Sequence, residues 1–420
     1  MRSRVPLVRL VLAVTAVATV LALSGPAGAA VPGDLPNAPV VDEDPFFVNA
    51  APPVSGPGQW NIRKIQAPEA HAITGGSPEV VVAVVDTGID YTHPDLADRI
   101  SYEDSVSCVG GVRNRDPAAW RDDNGHGTHN AGVIAAGANG IGIVGVAPNV
   151  RLAAVKVTDA TGLTTPDAVE CAFKWMAARK IEVANNSYSV DVGNVVMNPA
   201  NPLDLFCRSD LEQRRALRDV AKAVDHAQDK GVTVLASAGN NFTTGGVDVP
   251  AAAGADCARL PSGLPGVITV AATGTADELA FYSNYGAGYV DVAAPGGNVP
   301  PNPPFGFVLS TWPAPTPTSP CPTCAEDPGD GQPAYYRFMV GTSSAAAHAS
   351  GVAALIVSRY GTTTSPGNGK MAPAEVAMIL RQSADPLACP AATTCVGRAG
   401  DNSYFGAGRV NALRAVTADS

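Results

Sequence analysis

Val80–Val85 is an unbroken aliphatic run. A strand that faces solvent on one side alternates apolar and polar residues, so an uninterrupted run marks a strand covered on both faces, as in a parallel sheet. Leu152–Val157, Ile181–Ala184, Val232–Ala236 and Val267–Ala271 repeat the theme. Between them lie segments with helical periodicity, such as His129–Ala136, Pro166–Ala178 and Leu211–Asp229. Strands alternating with helices require crossover connections, which are right-handed almost without exception. The pattern predicts a three-layer α/β/α fold around a doubly wound, mainly parallel sheet.

Three short segments stand where strands or loops feed the next element: Asp86-Thr87-Gly88, Gly125-His126-Gly127-Thr128-His129 and Gly341-Thr342-Ser343. An aspartate ending a buried strand is costly unless something binds it. A histidine between glycines leaves room for close approach, and an imidazole titrates near neutrality as a general base must. A serine opening the helical run Ser344–Arg359 has backbone N–H groups and a positive dipole end beside it. Taken singly, these residues read as a turn cap, a zinc ligand paired with His129, and a helix N-cap. A zincin helix needs His-Glu-x-x-His, and Gly127-Thr128 fills that gap here. The order Asp, His, Ser is that of one triad type among several unrelated ones.

With these segments the chain resembles the subtilisin-like (subtilase) serine peptidases. The resemblance implies a secreted serine endopeptidase that forms an acyl-enzyme. Ser343 is its nucleophile, His126 the base, Asp86 the orienting carboxylate and Asn240, in Ala238-Gly239-Asn240, the oxyanion donor. His129 is a supporting neighbour. Ser187-Tyr188-Ser189 stands for the family's Ser-Leu-Gly substrate edge, with a bulkier centre. The nucleophile motif, Gly-Thr-Ser-Met-Ala-x-Pro-His in the family, reads Gly341-Thr342-Ser343-Ser344-Ala345-Ala346-Ala347-His348. Neither replacement, Ser344 nor Ala347, removes a reacting group. A narrow processing protease and a catalytically dead peptide binder are the rival readings.

Gly140-Ile-Gly142-Ile-Val-Gly145 satisfies a dinucleotide fingerprint, but it follows a helix and lacks a strand-end acid about 20 residues on. The resemblance makes Gly137–Ile143 a calcium loop, with Asp95 and Asn139 at ligand-like positions and Gly56 where the family's N-terminal ligand stands. No cofactor is required for the chemistry; a structural calcium ion is the one metal the resemblance offers.

Residues 1–29 combine Arg2, Arg4 and Arg9, an apolar run Leu10–Leu23 and Ala27-Gly28-Ala29. That is the grammar of a secretory signal, with a run short for a bilayer span. These residues hold no acid, so the formal charge of -10 becomes about -13 beyond them. Such a balance argues against nucleic acid as a partner. Polypeptide substrates, no stable membrane association and a monomer are expected. Residues 30–58 read as a short extension or pro-segment, and 59–418 as the peptidase domain.

Eight cysteines suit an oxidising compartment. Cys321 and Cys324 read as a small staple, and Cys389 and Cys395 as another. Cys108, Cys171, Cys207 and Cys257 then pair among themselves, in an order left open. Asp191–Arg208 and Pro300–Pro333 read as inserted surface loops, the second beside the substrate cleft.

Overall fold

The computed structural model describes residues 40, 42–49, 58–190, 205–254, 256–299, 306–315, 320–327, 332–361, 371–391 and 393–418. All of them belong to one unit, residues 36–420. The signal-like segment 1–29, Gly56 and most of 191–208 fall outside the described residues.

Seven strands make the main sheet: β1 Val81–Asp86, β2 Val106–Ser107, β3 Arg151–Lys156, β4 Val183–Asn186, β5 Thr233–Ser237, β6 Ile268–Thr273 and β7 Val292–Pro295. Their spatial order is β2-β3-β1-β4-β5-β6-β7, and each neighbouring pair is parallel. The five aliphatic runs are strands to within about two residues, the usual uncertainty of strand and helix ends. β2 has only two residues, and β7, Val-Ala-Ala-Pro, offers one large aliphatic side chain, so neither announces itself in the sequence.

Alternation along each strand sends side chains to two cores. Val82, Val84, Leu152, Ala154, Leu235 and Val270 meet one, which also holds the buried faces of helices His126–Ala135, Thr342–Tyr360 and Pro373–Gln382. Val81, Ala83, Val85, Val155, Val234 and Ala236 meet the other, under helices Pro166–Arg179 and Leu211–Asp229. The three layers expected from the pattern are thus present. Full burial contributes about 1.5–3 kcal/mol per large aliphatic side chain, which favours this two-sided arrangement for such runs. Helix starts follow local chemistry: Thr165 accepts from Ala168 N ahead of Pro166, and Asp210 accepts from Gln213 N.

The insertion at 300–333 is more than a surface loop. Its described part includes a fully buried strand, β8 Val308–Trp312, and β9 Ala325–Asp327. Both pair antiparallel with β10 Ala334–Met339. Val-Leu-Ser-Thr-Trp has the β-branched and aromatic content of a strand, a signal that the surrounding prolines mask. At the other insertion, Leu205–Cys207 pairs antiparallel with Cys257–Arg259. The disulfides are Cys108–Cys171, Cys207–Cys257, Cys321–Cys324 and Cys389–Cys395. Within the N-terminal extension, Phe46 and Phe47 are buried, and Phe46 meets Tyr336 edge-on at 5.2 Å between ring centres.

Candidate active site

Because the strands are parallel, every strand's carboxyl end reaches the same edge of the sheet, where such folds place ligands. Asp86 ends β1, Ser187–Ser189 follows β4, and Asn240 lies three residues beyond β5. Ser343 and His126 stand at the first turns of helices Thr342–Tyr360 and His126–Ala135, which pack against each other.

Asp86 is 1% exposed. Its Oδ1 accepts from Thr87 N at 2.7 Å and lies 2.7 Å from His126 Nδ1. Its Oδ2 accepts from Asn130 Nδ2 at 3.0 Å. A carboxylate only accepts, so this contact assigns the imidazole proton to Nδ1 and leaves Nε2 with a bare lone pair. Burial works to lower the His126 pKa. The charge of Asp86, its hydrogen bond and the charge of Asp122 outweigh it and raise the group above the ordinary imidazole value. His126 and His129 go to different partners: His129 Nε2 faces Val308 O at 3.2 Å, and burial, with the charge of His126 behind it, pushes its pKa down to about 3.

Asp122, which the sequence reading passed over, builds the turn that carries His126. Its Oδ1 accepts from Thr87 Oγ1 at 2.8 Å, Asn124 N at 3.0 Å and Gly125 N at 2.9 Å. Its Oδ2 accepts from Thr128 N at 2.9 Å and Thr128 Oγ1 at 2.5 Å. Thr87 Oγ1 in turn accepts from Gly127 N at 2.9 Å. Gly125 must be glycine on two counts. Its φ is +107°, and a Cβ there would come within 2.3 Å of the Trp312 ring. Ser310 and Thr311 donate to the carbonyls of His129 and Thr128 at 2.6 and 2.7 Å. The strand hidden in the 300–333 insertion therefore backs the histidine helix. An aspartate four residues before a Gly-flanked histidine is the local signal for the hub; nothing local points to β8.

Asn240 Oδ1 accepts from Thr342 N at 2.9 Å and Thr342 Oγ1 at 2.8 Å. That fixes the amide orientation and leaves Nδ2 as the donor still on offer. Nδ2 and Ser343 N lie 3.8 and 3.7 Å from the point where a Gly341 side chain would begin, so both donors border one small space.

Ser343 Oγ donates to Ser187 O at 3.4 Å, and Ser187 Oγ donates to Ser343 O at 3.3 Å. No hydrogen bond joins Ser343 to His126, so of the three predicted partners only Asp86 and His126 are hydrogen-bonded. Tyr188 is 7% exposed, packed in the second core, with its OH donating to Asn186 Oδ1 at 3.1 Å.

At the loop 137–143, Asp95 Oδ2 accepts from Ile143 N at 3.3 Å and Tyr336 OH at 3.1 Å. Asp44, from the N-terminal extension, accepts from Asn139 N at 3.1 Å and Gly140 N at 2.9 Å. The second oxygen of each, Asp95 Oδ1 and Asp44 Oδ2, is buried without a hydrogen-bond partner. Burial raises both carboxyls, Asp44 to about 6. Orphaned buried carboxylate oxygens are the donor chemistry that a hard cation takes, so the residues fit calcium. Among the described residues no group of three or more His, Cys, Asp or Glu side chains converges as a metal centre. Carboxamide or carbonyl oxygens must then complete the shell, as calcium allows.

The sequence profile of the subtilase family matches residues 77–408. Thermitase of Thermoactinomyces vulgaris is 31% identical over 375 residues, covering 89% of this chain and 98% of its own. An alkaline protease of Alkalihalobacillus alcalophilus is 34% identical over 299 residues, 71% of this chain. The match spans only 59% of that relative's length. Among solved structures, a lanthipeptide protease superposes with a TM-score of 0.63 at 25% identity, covering 85% of this chain and 93% of its own.

Proposed function

The chain belongs to the subtilase family, and from that premise we propose that it is a secreted serine endopeptidase acting through Asp86, His126 and Ser343. The observation that carries this reading is the 2.7 Å contact between Asp86 and His126, which presents a bare Nε2. In the reaction the Ser343 hydroxyl must leave Ser187 O, its partner at 3.4 Å, and donate to that nitrogen. Unliganded sites often hold such contacts loosely until substrate arrives. Ser343 Oγ then attacks the scissile carbonyl while Nε2 takes the proton. Asp86 stabilises the imidazolium. Negative charge grows on the carbonyl oxygen beside Ser343 N and Asn240 Nδ2. His126 returns the proton to the leaving amine, and a water activated by the same nitrogen releases the acyl group.

Polypeptides are the substrates, held along Ser187–Ser189 by main-chain pairing. Residues 1–29 direct export and 59–418 form the peptidase domain, working as a monomer; no helix among the described residues is long and apolar enough to cross a membrane. Catalysis uses no cofactor. Asp44, Asp95 and Asn139 would hold a calcium ion, whose contribution there is to stability.

A serine-directed phosphonate probe tests the reading. Wild-type protein is labelled and cleaves an unstructured polypeptide, and Ser343→Ala does neither. Folded wild type that resists the probe overturns the peptidase in favour of a peptide binder. N-terminal sequencing and mass of the protein from culture medium test export and processing.

A further inference from the structure

Asn185 is fully buried within β4. The row it belongs to runs Ala154, Val84, Asn185, Leu235, Ile268 across β3, β1, β4, β5 and β6. Its four companions all pack in the core shared with helix Thr342–Tyr360. An unbonded amide in such a row would destabilise the fold by about 1–3 kcal/mol, and an aliphatic side chain would suit the position better.

Both ends of this amide are engaged. Oδ1 accepts from Ser350 Oγ at 3.1 Å, and Nδ2 donates to Ser187 Oγ at 3.0 Å. Ser350 and Ser187 are buried too. Ser187 passes the contact on. Its Oγ donates to Ser343 O at 3.3 Å, and its own carbonyl accepts from Ser343 Oγ at 3.4 Å. Ser350 lies about two helical turns beyond Ser343 on the same helix. The chain of bonds therefore leaves that helix at Ser350 and returns to it at Ser343. A hydroxyl has one proton to give. With Nδ2 donating to it, Ser187 Oγ keeps that proton for Ser343 O, so the chain runs in one direction.

Resting on the serine-peptidase reading, we infer that Asn185 is a positioning residue for the nucleophile, acting through Ser187. It touches no reacting atom. It holds the Ser187 hydroxyl where that group grips Ser343 O, and Ser343 carries both the attacking Oγ and the N–H that borders the oxyanion space. Asn240, beyond β5, holds the neighbouring Thr342. The ends of two adjacent strands thus set the start of one helix. An amide suits the task because it donates and accepts at once. An aliphatic side chain at this position leaves both serines without that partner. Displacing a reacting group by about 1 Å can lower a rate by about 10²-fold, so a small loosening of Ser343 is enough to matter.

The test compares Asn185→Leu, Ser187→Ala and the double variant by steady-state kinetics on one quenched peptide. Phosphonate labelling counts active sites, and thermal melting confirms folding. Asn185→Leu lowers kcat by about tenfold or more while KM stays within about twofold. Ser187→Ala lowers kcat to a similar extent. The double variant falls no further than the worse single one, because the two side chains act in series. A merely structural asparagine would lower the melting temperature and leave kcat per labelled site intact. That result overturns the inference and leaves the peptidase standing, as do losses that multiply in the double variant. Should Asn185→Leu fail to fold, Ser187→Ala and Ser350→Ala decide the matter. Reduced kcat per labelled site in both supports the inference, and full turnover in either overturns it. Folded wild type that is neither labelled nor active overturns both readings.

Discussion

Asp122 accepts the hydroxyl of Thr87 at 2.8 Å, joining the turn that carries His126 to the strand end that carries Asp86. Two candidate catalytic groups 40 positions apart thereby share one buried hinge-pin. Asp122→Asn turns an amide N–H toward Thr128 N, donor against donor. The orphaned groups cost about 1–3 kcal/mol each. We expect a melting temperature several degrees lower and kcat reduced by roughly tenfold or more. KM should change little, since no substrate contact is lost. Steady-state kinetics with thermal melting check it; unchanged kcat would remove Asp122 from the positioning of His126.

The acid limb of kcat/KM reports His126. As a base it acts only when neutral, and its folded pKa is raised by Asp86 and Asp122 against the opposing effect of burial. More alkaline solution is then needed to free Nε2, so the limb should lie above pH 6.5, the ordinary imidazole value. In Asp86→Asn that raising charge is gone, and the limb moves to lower pH. Turnover falls by about 10⁴-fold, as when other triads lose this charge. A pH profile of both proteins checks direction and size. A wild-type limb below pH 6 contradicts the charge balance described.

Asn240 should matter to the rate and not to binding. Its Oδ1 is held by Thr342, so Asn240→Leu deletes the free donor while keeping similar volume. The expected loss in kcat is about 10²–10³-fold, a figure that comes from the corresponding subtilisin asparagine and not from this geometry. KM should stay within a small factor. A variant with full turnover would move the oxyanion site elsewhere.

Calcium should raise the melting temperature through Asp95 and Asp44. Saturation at about 100 times the dissociation constant adds about 2.7 kcal/mol, or roughly 5 °C for a domain of this size. Chelation reverses the gain, and Asp95→Asn abolishes it. Arg99, which feels the charges of Asp98 and Asp95, is the alternative neutralising group. A melting temperature indifferent to chelator would mean the protein's own cation closes the loop.

The sheet was legible because its signal is local. Val80–Val85 can be buried on both faces only between helical layers, so the strand and the architecture follow together. The Leu211–Asp229 helix begins and ends where Asp210 and the following Lys230-Gly231 say it must. The strand Val308–Trp312 was hidden by its proline-rich surroundings. Its burial comes from helix His126–Ala135, to which it donates through Ser310 and Thr311. No window of 34 residues contains both partners.

The sequence by itself determined the chemistry on offer: a carboxylate at a strand end, an imidazole between glycines, a hydroxyl opening a helix, and a family order for the three. Residue type and local spacing carry that information because capping, periodicity and turn chemistry act over a few positions. Only the tertiary structure decided which groups meet. It gave Asp86 to His126, turned Ser343 toward Ser187, brought Asp44 onto the 139–140 amides and set Asn185 between Ser187 and Ser350. Those pairings depend on strand order and on burial across long stretches of chain, where desolvation makes an unpartnered charge costly and so selects the neighbour it must have.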